Sequence, residues 1–154
     1  MESYWHQTAK GREFSPLEGE HEADVAVIGG GLAGVLTAYL LKEAGLDAVI
    51  LEANRVGSGT TGGTTGKVSA QHGLLYAKLI EDFGKEKARE YAKANILALE
   101  RLKGIMDAER IDCEWEAADS YVYARGEAAE LKDEAEAMKR LMFDAEYVST
   151  VSEL

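Results

Sequence analysis

The sequence predicts an α/β fold in which a parallel βαβ unit leads into a region of helices and further strands. Three observations predict it. A short β-branched run, DVAVI at 24–28, ends in three glycines. A long apolar stretch, LAGVLTAYLLKEAG at 32–45, follows at once. A second apolar run, DAVILE at 47–52, closes the unit. Short apolar runs bounded by turn residues read as buried strands, and the longer middle stretch reads as a helix. Gly45 stands just past that helix, where a left-handed residue ends helices well. Strand, helix and strand within about 30 residues imply parallel strands and a right-handed crossover.

The remaining elements follow in chain order. Residues 1–23 are polar and mixed and read as an N-terminal arm, with Tyr4, Trp5, Phe14 and Leu17 available to pin it to a body. After the second strand, 57–66 reads GSGTTGGTTG. Such a run is either a flexible linker or a loop that wraps a phosphate-rich ligand. Helices are expected at 74–83 and 85–109, the longer carrying Ala88, Ala92, Leu99, Leu102 and Met106 on one stripe. SYVYA at 120–124 reads as a strand. A helix is expected from Glu127 to about 142, with Ala128, Leu131, Ala135, Met138 and Met142 on one face, and AEYVST at 145–150 reads as a last strand. The expected division is an arm at 1–23, the βαβ unit with its Gly/Ser/Thr loop at 24–73, and the helical and β start of a cap or substrate domain at 74–154. Two parallel strands do not make a stable open sheet alone. The domain is therefore expected to be incomplete, the front part of a larger protein, with exposed sheet edges that favour self-association.

Composition narrows the function classes. At 154 residues the chain is one domain by length and can bury a core. Its 46% hydrophobic and 29% charged residues are those of a globular chain rather than a disordered one. A net charge of -11 repels phosphate backbones and anionic lipid surfaces, so neither nucleic acid nor membrane is an expected partner. No apolar run reaches the roughly 18 residues that would span a bilayer. The N-terminal MESYWHQTAKGREF lacks the basic start and apolar core of a secretory signal. The single cysteine, Cys113, supports neither an internal disulfide nor a cysteine-based metal site, so a cytoplasmic setting and no metal are expected.

The chemistry sits in the first turn. Gly29, Gly31 and Gly34 form G-x-G-x-x-G between a strand and a helix, the context this motif needs. The first glycine permits the tight turn, the second lets backbone approach a pyrophosphate, and the third lets helix and strand pack closely. Free amides at the helix start, with the dipole behind them, favour the anionic phosphates. Glu52 ends the second strand, where a carboxylate accepts hydrogen bonds from ribose hydroxyls and repels a 2′-phosphate. Together these describe a Rossmann-like dinucleotide site. The βαβ unit alone does not separate FAD from NAD. In a plain NAD domain the second strand usually leads through a short connection into another helix. Here it leads to Arg55, the ten small residues and Lys67, which offer backbone amides and hydroxyls along a long cofactor.

Residues 24–73, DVAVIGGGLAGVLTAYLLKEAGLDAVILEANRVGSGTTGGTTGKVSAQHG, resemble the N-terminal FAD-binding segment of the D-amino-acid oxidase/glycine oxidase superfamily of flavoproteins. Within it, the chain is most similar to the subgroup that often carries a C-terminal Rieske iron–sulfur domain. The early SYW, the spacing of Phe14, Leu17 and Gly19, LLYAKLIEDFG and IDCEWEAADSYVYA extend the likeness over most of the chain. The resemblance implies that Gly29, Gly31 and Gly34 hold the FAD pyrophosphate, with Leu32 and Ala33 between them. It places Glu52 and the adjoining Ala53 at the adenosine ribose and Arg55 near the adenosine and phosphates. Ser58, Gly59, Thr60 and Thr61 would follow the diphosphate. Thr64, Thr65, Gly66 and Lys67 would approach the ribityl chain and flavin.

Some relatives attach flavin through a histidine in this loop. The comparable position here is Gly63, so noncovalent FAD is expected. A Rieske centre needs two cysteines and two histidines, which one cysteine does not supply. The implied activity is oxidation of a small amine or amino acid by hydride transfer to FAD in the full-length protein, with this chain alone inactive. The alternatives are an NAD-binding dehydrogenase domain and a truncated, non-catalytic flavoprotein module. No catalytic residue is assigned. His72 reads as structural, His6 and His21 as surface residues, and Lys67 as either a flavin neighbour or an ordinary surface lysine. Cys113 and Trp115 read as packing residues among acids.

Overall fold

A computed structural model describes residues 3–9, 12–124 and 128–151. The chain divides into two compact units, Met1–Lys67 and Val68–Leu154. The expected helix start at Glu127 and the terminal 152–154 lie outside the described residues.

The first unit holds a short helix α1 (Tyr4–Thr8), strand β1 (Val25–Ile28), helix α2 (Leu32–Glu43), strand β2 (Ala48–Leu51) and a 3-10 turn (Thr60–Gly63). β1 and β2 pair in parallel, with Val25 opposite Ala48 and Ile28 opposite Leu51. The ladder is extended at both ends. Val25 N–H donates to the Asp47 carbonyl at 3.1 Å and Gly29 N–H to that of Leu51 at 2.8 Å. Asp24 ties the strand starts together by accepting the Asp47 N–H at 2.9 Å. α2 stops as expected at Gly45, which has φ +81. Gly45 N–H donates to Lys42 O and Leu46 N–H to Leu41 O, the paired bonds that satisfy the last carbonyls of a helix. The apolar character of these elements is not matched by burial. Ile28 is 79% exposed, and Leu32, Leu40 and Leu51 are exposed as well. Parallel strands normally have both faces covered. Among the described residues this sheet has two strands and uncovered apolar side chains.

The arm is more structured than its composition suggests. Ser3 caps α1 by accepting the His6 N–H. Trp5 makes the anchoring contact, while Phe14 and Leu17 are exposed and do not pin the arm. The Arg12 guanidinium instead lies over the Phe14 ring.

The second unit contains α3 (Tyr76–Ala108) and α4 (Ala129–Arg140). α3 is two helices joined at Gly84, whose φ of 83 and ψ of 162 are not helical. That break falls between the two helices expected from the sequence. Tyr76, Ala88, Ala92, Ala137, Met138 and Leu141 form the core, with Phe143 packed against it. The Tyr76 ring is 4.8 Å from Phe143 and 6.2 Å from Tyr91, centroid to centroid.

Three expectations need correction here. Residues 120–124 and 145–150 are not strands but extended chain without a ladder partner among the described residues. Their β-branched and aromatic composition suits a strand, yet a strand exists only when another pairs with it. The expected stripe of α4 is buried at Ala128 and Met138 and half-buried at Leu131 and Ala135, with Glu134 and Ala137 buried beside it, but Met142 is 83% exposed beyond the helix end. Cys113 is exposed rather than packed, with its thiol 3.4 Å from the Met106 sulfur.

Candidate functional site

The turn from β1 into α2 uses glycine for a different reason at each motif position. Gly29 has φ +99, a conformation that L side chains rarely adopt. A Cβ on Gly34 would lie 1.9 Å from the Gly29 carbonyl oxygen, so helix and strand touch through backbone. Gly31, the N-cap, has an ordinary φ of -77. Its requirement is space, since a Cβ there would come within 3.3 Å of Thr61 Oγ1. Gly30 is buried and joins three segments. Its N–H donates to Glu52 Oε2 at 2.7 Å, its carbonyl accepts the Gly57 N–H at 2.9 Å, and a Cβ would press on Glu52 and Val56 at 3.2 Å.

Helix geometry leaves the first-turn amides of α2 without intrahelical acceptors. Leu32 N–H donates to Thr61 Oγ1 at 2.9 Å, so the helix start already faces an acceptor oxygen. The amides of Ala33 and Gly34 have no acceptor among the described residues. With the dipole behind them, they suit an anionic group.

Glu52 lies beside this turn. Its Oε2 accepts from Gly30 and its Oε1 from Asn54 N–H at 2.9 Å. The Gly30 amide foremost, then that of Asn54, holds this carboxyl below its ordinary value of 4.5, against a smaller opposing effect of burial. It is therefore ionised at neutral pH, and each oxygen keeps a lone pair for another donor. This donor and acceptor set fits a diphosphate joined to a ribose diol.

The structure brings Gly29, Gly31, Leu32, Ala33, Gly34, Glu52 and Thr61 to one end of the sheet. Ala53 contributes a backbone hydrogen bond that helps keep Glu52 ionised. Ser58 N–H donates to the Arg55 carbonyl at 3.0 Å, and Gly59 is the N-cap of the 3-10 turn that Thr60 opens. Arg55 itself pairs with Glu13, both side chains being largely exposed. Thr64 and Gly66 meet the arm: the Thr64 carbonyl accepts the Trp5 indole N–H at 2.6 Å, and a Cβ on Gly66 would lie 2.7 Å from the Trp5 ring. Thr65 and Lys67 are exposed. His72 is exposed in the second unit.

Sequence reasoning missed Gly30, Asn54 and Gly57. The run GGG held the signal for Gly30, because a third glycine at a position the motif leaves free requires its own reason. In the second unit, an open groove of about 960 Å³ is lined by Gln71, Tyr121, Tyr123, Glu134 and Tyr147 among others. No group of His, Cys, Asp and Glu able to hold a metal occurs among the described residues. None of the described helices is long and apolar enough to cross a membrane.

Comparison with known proteins bears on the cofactor. The family model described as FAD dependent oxidoreductase (DAO) matches residues 24–154. The putative Rieske 2Fe-2S iron-sulfur protein YhfW of Bacillus subtilis is 41% identical over 149 residues, 96% of this chain and 29% of that protein. Gamma-glutamylputrescine oxidoreductase of Escherichia coli is 28% identical over 120 residues, 76% of this chain and 28% of that one. The probable oxidoreductase OrdL of Haemophilus influenzae is 29% identical over 103 residues, 67% of this chain and 24% of that one. The chain thus spans less than a third of the length of these relatives. No solved structure matches it. FAD is the family's cofactor, which decides between the two dinucleotides that the βαβ unit left open.

Proposed function

This chain belongs to the FAD-dependent oxidoreductase (DAO) family, and from that premise we propose that residues 29–61 hold the adenosine diphosphate portion of noncovalent FAD, with Thr64 to Lys67 toward its ribityl chain and flavin, in an enzyme that oxidises an amine or amino acid. The observation that carries the reading is the juxtaposition of the unfilled α2 amides with ionised Glu52 across Gly30. Ala33 and Gly34 would bind the diphosphate through backbone N–H groups, and Gly31 would leave the approach open. Glu52 would accept the ribose hydroxyls while holding Gly30 in place. Thr61, whose hydroxyl accepts the Leu32 N–H, would lie beside the bound diphosphate at the helix start. When bound, FAD would supply the acceptor for hydride from the substrate. The protein's part here is to bind and orient that group. The name of the E. coli relative, an oxidoreductase of gamma-glutamylputrescine, supports an amine substrate. Gly63 carries no side chain for a covalent flavin link.

The test is an absorption spectrum of the purified chain followed by titration with FAD. Flavin bands or saturable binding support the reading. A folded chain that shows neither refutes FAD binding by residues 29–67 alone. Exposed Ile28 and Leu51 at the bare sheet also support self-association, which sedimentation velocity tests. A monodisperse monomer at all concentrations removes that part of the proposal.

A further inference from the structure

We propose that the N-terminal helix α1 is a strap that fixes the 3-10 turn and the loop end at 62–66, and that Trp5 is a positioning residue for FAD. This deepens the proposed function and rests on it. A helix of five residues has too few internal hydrogen bonds to persist alone in water. Its stability must come from what it touches, and what it touches is the Gly/Thr loop. The Ser3 hydroxyl donates to the Gly62 carbonyl while its oxygen caps the helix by accepting His6 N–H. The Trp5 indole N–H donates to the Thr64 carbonyl at 2.6 Å. Tyr4 stacks edge-on against Trp5, with ring centroids 5.2 Å apart.

The glycines of the loop match these contacts. Gly62 is buried, and a Cβ there would lie 2.2 Å from His6 Nε2 and 2.6 Å from the Gly57 carbonyl. Gly66 has φ +75, and its missing side chain leaves the space that the Trp5 ring fills. Two of the loop's glycines thus make a seat for the arm. The same loop reaches the α2 amides through Thr61, one residue before Gly62. Fixing Gly62 and Thr64 from the arm side therefore fixes the hydroxyl that lies over the candidate diphosphate site. An unstrapped loop of this composition would sample many conformations, and the cofactor would bear the cost of ordering it.

The experiment uses the 154-residue chain with Trp5→Ala and Trp5→Phe, and reads two quantities. The first is amide hydrogen exchange at 57–66 without cofactor. The second is FAD affinity. For Trp5→Ala the strap predicts faster exchange at 62–66, unchanged exchange in α2, and FAD affinity weaker by about tenfold. Trp5→Phe keeps a ring on Gly66 and restores most of both. Unchanged loop exchange in Trp5→Ala overturns the strap whether or not FAD binds. Faster exchange with unchanged FAD affinity overturns the positioning role. If the unaltered chain binds no FAD, FAD binding by residues 29–67 alone falls, and the exchange data still decide whether the arm orders the loop.

Discussion

The carboxylate of Glu134, on α4, caps α3 from outside that helix: its Oε1 accepts the Tyr76 N–H at 2.7 Å. Oε1 also takes Leu75 N–H at 2.8 Å, and Oε2 takes Ala77 N–H at 2.7 Å. Glu134 is 3% exposed, and no side chain of α3's own sequence caps that end. The helix dipole and three amides compensate for burying the charge.

Glu134→Ala should therefore lower the stability of the second unit by about 2 kcal/mol, because the buried Tyr76 amide and the half-buried Leu75 and Ala77 amides lose their acceptor. Glu134→Gln keeps one acceptor oxygen and should cost less. Urea denaturation followed by circular dichroism measures both, and equal midpoints for Glu134→Ala and the unaltered chain would contradict the cap.

Tyr76 is fully buried, and its hydroxyl donates to the Ala70 carbonyl. Burial above all, with Tyr91 and Glu134 nearby, pushes the phenol from 10.0 to about 12. The folded state holds the neutral form more tightly than the unfolded state does. Its contribution is complete below pH 10 and is lost as pH rises through about 12. Alkaline titration watched at the phenolate absorption band should show one late tyrosine that ionises with unfolding, and Tyr76→Phe should remove it.

Glu52 has the opposite sign. Its pKa is depressed, so the stability it contributes is present above the ordinary value of 4.5 and fades as pH falls through the lower folded value. FAD affinity should hold down to the ordinary carboxylate value of 4.5 and fall only as pH drops below it, through the lower folded value. Glu52→Gln should flatten the acid side of the profile and weaken binding by about tenfold at neutral pH. Isothermal titration across pH checks both.

Two of the three motif glycines, Gly31 and Gly34, should separate by phenotype. Gly34→Ala drives a Cβ into the Gly29 carbonyl and should cost about 3 kcal/mol or more, loosening β1 from α2. Gly31→Val has an allowed backbone and only Thr61 Oγ1 nearby, so the unit should fold and fail to bind FAD. Circular dichroism with FAD titration on both variants distinguishes them. Full FAD affinity in a folded Gly31→Val protein would remove Gly31 from the site.

The βαβ unit was legible because its signals are local. Strand runs, glycines and the Gly45 stop each act within a few residues, and the observed β1, α2 and β2 lie within the expected spans. The helix break was legible at Gly84 for the same reason. The segments 120–124 and 145–150 carry strand composition, but pairing depends on a distant partner. The apolar stripe of α4 was legible from Ala128 to Met138, but Glu134 beside it was not, because a stripe drawn through apolar residues skips a carboxylate that serves another helix's amides, and Met142 falls beyond the end of the helix. Trp5 was visible as an anchor without a target. The target is a carbonyl and a space where a glycine lacks a side chain, and neither leaves a mark on hydrophobic periodicity.

The lack of burial around β1 and α2 has a calorimetric consequence. Every fully buried hydrophobic side chain among the described residues, from Tyr76 to Leu141, belongs to Val68–Leu154. Apolar groups already in water in the native state add little to the heat-capacity increment of melting. The Met1–Lys67 unit should therefore absorb heat weakly and over a broad span, with ligand mass action in place of a dry interior to steepen its transition. The temperature at which it opens becomes a function of free cofactor concentration.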